Sequence, residues 1–187
     1  MADPTRDILD RYLVLRAQDG DERALGELIT RWQPRLYRYA CRLTCDSDGA
    51  WDVLQEAWVS AIRGLRRLDD AGRFRPWIYR IVTCRCADWI HRRRRQRGQP
   101  PLDDAPAPSS AANGDELTRH VGELLAMLSA GQRAVLTLYY LDDFSVGEIA
   151  EIARVPAGTV KSRLHHARQA FRELWSRDAG SPSPQSR

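Results

Sequence analysis

Apolar residues recur along this chain with the spacing of helices, and no stretch shows the alternation of a half-buried strand. The cleanest run is Ala50, Val53, Leu54, Ala57, Trp58, Ala61, Ile62 and Leu65. Its spacing puts all eight on one stripe of a single helix. Before it, Ile8, Leu9, Tyr12 and Leu13 mark a short opening helix. A second starts near Asp21 and carries Ala24, Leu25, Leu28, Ile29 and Trp32, and Pro34 is expected to kink or restart it before Leu36, Tyr37, Ala40 and Leu43. A fourth runs from about Phe74 through Ile78, Ile81, Val82 and Trp89 into a run of arginines.

The pattern then stops. The segment "RGQPPLDDAPAPSSAANGD" has no apolar period and is rich in Pro, Ala, Ser and Asp, the composition of a flexible linker. Periodicity returns with Val121, Leu124, Leu125 and Leu128. Ser129-Ala-Gly-Gln132 and Ser145-Val-Gly-Glu148 have the form of capping boxes, each opening a helix. The first box leads to Val135, Leu136 and Tyr139, the second to Ile149, Ile152 and Ala153. A last helix carries Val160, Leu164, Ala167, Phe171 and Leu174 on one stripe. The chain therefore reads as all-α: two small helical domains, 1–97 and 116–177, a flexible linker at 98–115 and a disordered tail at 178–187. The two domains are expected to fold independently and to be flexibly tethered.

Charge sharpens this outline. The 187 residues carry a formal net charge of +4, and Lys161 is the sole lysine among 29 basic residues. Between Arg73 and Arg97 there are nine arginines against one acid, Asp88. Between Arg154 and Arg172 there are five basic residues and no acid. Two basic segments on an otherwise acidic chain suggest two contact zones for a polyanion. The opening residues "MADPTRDILDRY" lack an apolar signal core, and no apolar run approaches a membrane span, so a cytoplasmic protein is expected. The cysteines at 41, 45, 84 and 86 do not have a standard zinc spacing and read as small buried hydrophobes. His, Asp and Glu show no triad or metal spacing, which speaks against an enzyme; no cofactor is expected.

The segment "EIAEIARVPAGTVKSRLHHAR" joins a short helix to a longer one through a turn holding Pro156 and Gly158. Thr159, Lys161, Ser162, Arg163, His165, His166 and Arg168 fall off the Val160/Leu164/Ala167/Phe171 stripe. That is the arrangement of a helix-turn-helix, whose second helix enters the DNA major groove with its early residues on bases and phosphates.

At this point the chain resembles a known family. "LSAGQRAVLTLYYLDDFSVGEIAEIARVPAGTVKSRLHHARQAFREL" is similar to the C-terminal DNA-binding domain of extracytoplasmic-function (ECF) sigma factors. "GDERALGELITRWQPRLYRYACRL", "DVLQEAWV" and "FRPWIYRIVTCRCADWIHRRRR" resemble their N-terminal domain, in the family's order. The resemblance implies a non-enzymatic initiation factor that binds core RNA polymerase and promoter DNA, with an anti-sigma factor as a further partner. It implies that Asp52, Gln55, Glu56 and Val59 dock on the polymerase. It implies that Arg73, Arg75, Trp77, Arg80, Thr83, Cys84, His91, Arg92 and Arg94, with the preceding loop from about Leu68, read and open the downstream promoter element. Trp77, Tyr79 and Trp89 offer flat surfaces for unstacked bases, though for Trp89 core packing is the preferred reading. It assigns Thr159, Lys161, Ser162, Arg163, His165, His166 and Arg168 to the upstream element. The sequence departs from the family where Cys84 replaces a frequent Asn, where Trp51 replaces an acid, and where "LSAGQR" lacks a usual proline. The other reading is a two-domain regulator binding DNA without polymerase, which has no need of the "DVLQEAWV" face.

Overall fold

A computed structural model describes residues 4–96 and 116–179. Among the described residues every regular element is helical. The α-helices are α1 Pro4–Gln18, α2 Glu22–Thr44, α3 Ser47–Gly64, α4 Phe74–Gln96, α5 Glu116–Ala126, α6 Ala130–Leu136, α7 Val146–Ala153 and α8 Ala157–Ala179. The all-α expectation therefore holds. The expected linker at 98–115 and the tail beyond residue 179 lie outside the described residues; α8 itself runs two residues past the expected end at 177.

Helices α1 to α4 pack around Leu28, Leu36, Tyr39, Ala50, Val53, Leu54, Ile78 and Val82, all fully buried or nearly so. Their ends are set locally. Asp21 caps α2 by accepting from the backbone N–H groups of Arg23 and Ala24, which removes two of the orphan donors of a first turn. Pro34 does not restart α2, which is one helix from Glu22 to Thr44. Pro34 is exposed, while Trp32 and Leu36 on either side of it are buried. The loss of one hydrogen bond on the solvent side is outweighed by packing on the core side. Cys45 then ends α2 in the left-handed region at φ 53°, its N–H on the Cys41 carbonyl. Asp46 caps α3 through the N–H of Gly49 at 2.7 Å.

Two expected stripes shift. On α1 the buried side chains are Leu13 and Val14, whereas Ile8 and Tyr12 point outward with Leu15. Polar ties fix that orientation: Arg31 donates to Asp10 at 3.0 Å, and Gln18 Nε2 donates to the carbonyls of Leu65 (2.9 Å) and Leu68 (2.7 Å). On α3 the stripe holds for Ala50 through Ala61, but Ile62 is exposed. At about 100° per residue Ile62 has drifted to the edge of the stripe, and Leu65 is buried from a following 3-10 turn, Leu65–Arg67.

In the C-terminal half both capping boxes are formed. Ser129 and Gln132 exchange side-chain-to-backbone bonds, and so do Ser145 and Glu148. After α6 the chain widens into a π turn, Thr137–Leu141, closed by Asp142 N–H on the Thr137 carbonyl at 3.1 Å. Helix α7 ends at Arg154 with φ 53°. Pro156 accepts at its carbonyl from the N–H groups of Thr159 and Val160, opening α8. Gly158, expected in the turn, lies inside the first turn of α8. Val160, Leu164 and Ala167 are buried against Leu136, Ile149 and Ile152, and Phe171 and Leu174 are half-buried along the same stripe.

The two halves are packed on each other. Their buried side chains form one continuous apolar cluster. Helix α7 and the turn before it lie against α4, with the Phe144 and Tyr79 ring centroids 4.8 Å apart. Arg133 of α6 is fully buried beneath the end of α2, where Nη1 donates to Cys45 Sγ at 2.8 Å and to the Ala126 carbonyl at 3.0 Å. Burial pushes the Arg133 guanidinium down, opposed by the nearby Cys45. No local pattern in the sequence marks this contact, because the residues that make it are scattered singly along the chain.

Candidate nucleic-acid and polymerase interfaces

The α7–α8 pair is a helix-turn-helix by geometry: an eight-residue helix, a turn of Arg154, Val155 and Pro156, and a 23-residue helix. Because Val160, Leu164 and Ala167 turn inward, Lys161, Ser162, Arg163, His165 and His166 are exposed together near the start of α8, with Thr159 half-exposed at its mouth. Arg168 is placed differently. Its guanidinium lies over the rings of Tyr139 (5.4 Å) and Tyr140 (5.5 Å), and its Nε is buried without a hydrogen bond. It packs α8 against the π turn.

Helix α4 carries the second basic zone. Arg80, Cys84, His91 and Arg92 are exposed or half-exposed along it, and Arg94 is half-buried. Trp77 is half-buried, its ring against Phe74 at 5.8 Å and close over Gly64. Thr83 is committed internally: its hydroxyl donates to the Tyr79 carbonyl at 2.7 Å and meets the Tyr39 hydroxyl at 2.8 Å. Tyr79, expected as a platform for bases, is buried; Phe144 of the C-terminal half covers it, and its hydroxyl donates to Asp142 Oδ1 at 2.7 Å. Trp89 has the packing role preferred from sequence, seated on Gly49 with Arg93 stacked at 4.8 Å. At the start of α4, Arg73 pairs with Glu151 of α7, and Arg75 donates to the Asp142 carbonyl while stacking on Phe144 at 4.1 Å.

On α3, Asp52, Gln55 and Val59 are exposed and Glu56 is half-exposed, on the side away from Val53, Leu54 and Ala57. Asp52, Gln55 and Glu56 line one wall of a cleft of about 700 Å³ whose other wall includes Arg92 and Arg93 of α4. Glu56 accepts from Arg92 at 3.1 Å, so this face and the basic helix are tied at one point.

Cys41, Cys45 and Cys86 are buried and Cys84 is exposed. Burial pushes the thiols of Cys41, Cys45 and Cys86 up, away from the thiolate form. Among the described residues no three of His, Cys, Asp and Glu are grouped to hold a metal, and no helix is long and apolar enough to cross a membrane.

Sequence reasoning passed over three features of this surface. Arg31, Arg35, Arg38 and Arg42 form a stripe along α2, detectable by applying to charges the period test used for apolar residues. Asp142, in "YLDDF", is the acid that reaches α4. Gln18 ties α1 to the loop before α4, and no local pattern reveals it.

A helix-turn-helix with a basic exposed face, joined to a second helical bundle with its own basic helix, is the architecture of a sigma-70-type initiation factor. The Sigma-70 region 2 family matches residues 28–96 and the Sigma-70, region 4 family residues 119–171. Three relatives match along nearly their whole length. RNA polymerase sigma-H factor of Pseudomonas aeruginosa is 31% identical over 87% of this chain and 91% of its own. ECF sigma-E of Escherichia coli K12 is 30% identical over 88% and 93%, and ECF sigma factor SigW of Bacillus subtilis 28% over 86% and 93%. Among solved structures, CnrH in complex with the cytosolic domain of CnrY superposes with a TM-score of 0.69 at 27% identity, covering 92% of this chain and 99% of that one. The sigma factor RpoE of Bartonella quintana, in complex with the anti-sigma factor NepR, shares the fold with a TM-score of 0.66 at 24% identity, covering 81% of this chain and 96% of that one. The chain belongs to the ECF family of RNA polymerase sigma factors. It works with RNA polymerase in promoter-specific transcription initiation and is not itself an enzyme.

Proposed function

We propose that the division of labour within this sigma factor follows its two halves, the domains at 1–97 and 116–177. Asp52, Gln55, Glu56 and Val59 of α3 dock on core polymerase. Helix α4, with Trp77, Arg80, Cys84, His91, Arg92 and Arg94 and the loop before it, takes and opens the downstream promoter element. Lys161, Ser162, Arg163, His165 and His166 of α8 read the upstream element, with Thr159 at the helix mouth. Arg73, Arg75, Thr83 and Arg168 join these surfaces once their present partners are exchanged. An anti-sigma factor is a further partner, as the complexes formed by the two structural neighbours suggest, and the cytoplasm, where polymerase and promoter meet, is the place of action.

The observation that carries this reading is the clean division of α8, with its apolar stripe inward and its basic and hydroxyl side chains together outside. The experiment is run-off transcription with core polymerase on the promoter of the protein's own operon. Charge reversal at Asp52 and Glu56 is expected to abolish the transcript and core binding while leaving helicity intact. An undiminished transcript from that variant would refute the docking assignment.

A further inference from the structure

The arginine stripe of α2 has no role in the reading above. Arg31 is held by Asp10 at 3.0 Å, and the Arg35 guanidinium lies over the Trp32 ring at 5.9 Å. With Arg38, Arg42, and Arg75 and Tyr79 of α4, Arg35 lines a cleft of about 390 Å³ between the two halves of the chain; its acids are Asp7 and Asp10 of α1, paired with Arg11 and Arg31, and Asp142 and Asp143 of the C-terminal half. Three like charges along one helix face repel one another, and an anion bound across them relieves that repulsion.

Asp142 of the C-terminal half enters this cleft. Its Oδ1 accepts from Tyr79, while its Oδ2 is buried with no hydrogen-bond partner. Burial pushes its carboxyl up, and Arg42, Arg75 and Arg38 oppose that. A buried carboxylate oxygen without a donor, beside guanidinium groups that could each present two, is poorly matched to its surroundings. A phosphate, with more oxygens to share, suits the same arginines better. Phe144 completes the likeness. It lies edge-on to Tyr79 and under Arg75, on surfaces where an unstacked base would rest.

We infer that the cleft walled by Arg35, Arg38, Arg42 and Arg75 is a phosphate-binding track for a single DNA strand, and that Asp142 and Phe144 occupy it in the free chain in place of a phosphate and a base. This rests on the reading of α4 as the promoter-opening helix and extends the strand's path from α4 onto α2. The exposed faces of α4 and α8 are then not the whole DNA surface: part of it is held shut by the chain itself.

The test uses the full chain and a fluorescein-labelled oligothymidylate of about twelve nucleotides, a strand that contacts phosphate tracks without sequence preference. Asp142→Asn removes the internal anion and is expected to tighten binding about tenfold, the effect of raising the open fraction by the strength of one charged hydrogen bond. Tyr79→Phe, which keeps the acid but frees it, is expected to give a smaller gain in the same direction and serves if Asp142→Asn folds poorly by circular dichroism. Adding Arg35→Gln and Arg38→Gln to Asp142→Asn should abolish the gain and lower the log–log salt slope by about 1.4, two single-strand contacts at about 0.7 each. Unchanged binding by both single variants would overturn the inference, and so would a gain that survives loss of the two arginines. Open-complex formation by Arg80→Ala with core polymerase, run in parallel, separates the two readings. A defect there with no gain from Asp142→Asn overturns only the α2 track, whereas normal opening by Arg80→Ala removes the α4 reading on which it rests.

Discussion

The indole of Trp89 lies directly on Gly49: a Cβ built at position 49 would stand 2.2 Å from the ring. That contact seats α4 on the first turn of α3, so the basic helix is positioned where α3 begins. Gly49→Ala forces the ring or a helix to move, and the expected loss is about 1–3 kcal/mol of stability, an overpacking effect. Thermal denaturation measures it. Because the clash is with one side chain, Trp89→Leu in the same chain should recover part of the loss, and a purely additive double mutant would show that the two residues do not interact.

Arg133 is buried with two of its three guanidinium nitrogens lacking hydrogen bonds. Its aliphatic stem fills space under α2, and Nη1 satisfies the carbonyls at the end of α5. Arg133→Ala removes both and should lower stability by roughly 2–4 kcal/mol. Arg133→Met keeps the volume and discards an ill-paired buried charge, so its loss should be smaller. Urea denaturation of both variants decides; equal losses would mean that packing contributes little.

Acid sensitivity should localise in part to Asp46. Burial pushes its carboxyl up, but the Gly49 N–H and the Arg93 guanidinium outweigh this and leave it below the ordinary value. A carboxyl lowered on folding contributes stability that is present above its unfolded value, about 3.9, and is lost as pH falls through its folded one. Asp46→Asn keeps an N-cap acceptor and should flatten the stability profile below about pH 4. A profile identical to the parent's would remove Asp46 from the account of acid unfolding.

Arg163→Ala on the recognition helix should weaken holoenzyme binding to the upstream element. The log–log salt slope should fall by about 0.9, the value for one phosphate contact on duplex DNA. A promoter footprint and salt slope both matching the parent's would take Arg163 off the DNA surface.

Cys84 places an exposed thiol on the basic helix α4. A thiol bonds a base edge weakly and an amide both donates and accepts. Cys84→Asn should shift preference among single-base variants of the downstream element without changing core binding, as read by permanganate footprinting. An unshifted preference would leave Cys84 without a part in reading the promoter.

The helices were legible because each carries its own period and caps. Both capping boxes, the Asp21 region as the start of α2 and the inward stripe of α8 follow from residues three or four apart. Orientation was less legible where both faces of a helix bear apolar side chains. On α1, Ile8 and Tyr12 match a helical period as well as Leu13 and Val14 do, and distant bonds from Arg31 and Gln18 choose between them. The contact between the halves was illegible. Tyr79 and Asp142 are 63 positions apart, and Cys45 and Arg133 are 88 apart. Neither pair leaves a local mark, and an acidic "DD" reads as an ordinary turn until its carboxylate is found among arginines.

Arg133 on Cys45 and Tyr79 on Asp142 join parts of one molecule, so closure is a unimolecular equilibrium. Dilution does not open it, and raising the number of copies does not close it further. Only a ligand that binds one arrangement more tightly than the other shifts the balance, by no more than that difference in affinity. If polymerase and a repressing partner both act on this equilibrium, the response depends on which of them discriminates more sharply between the two arrangements.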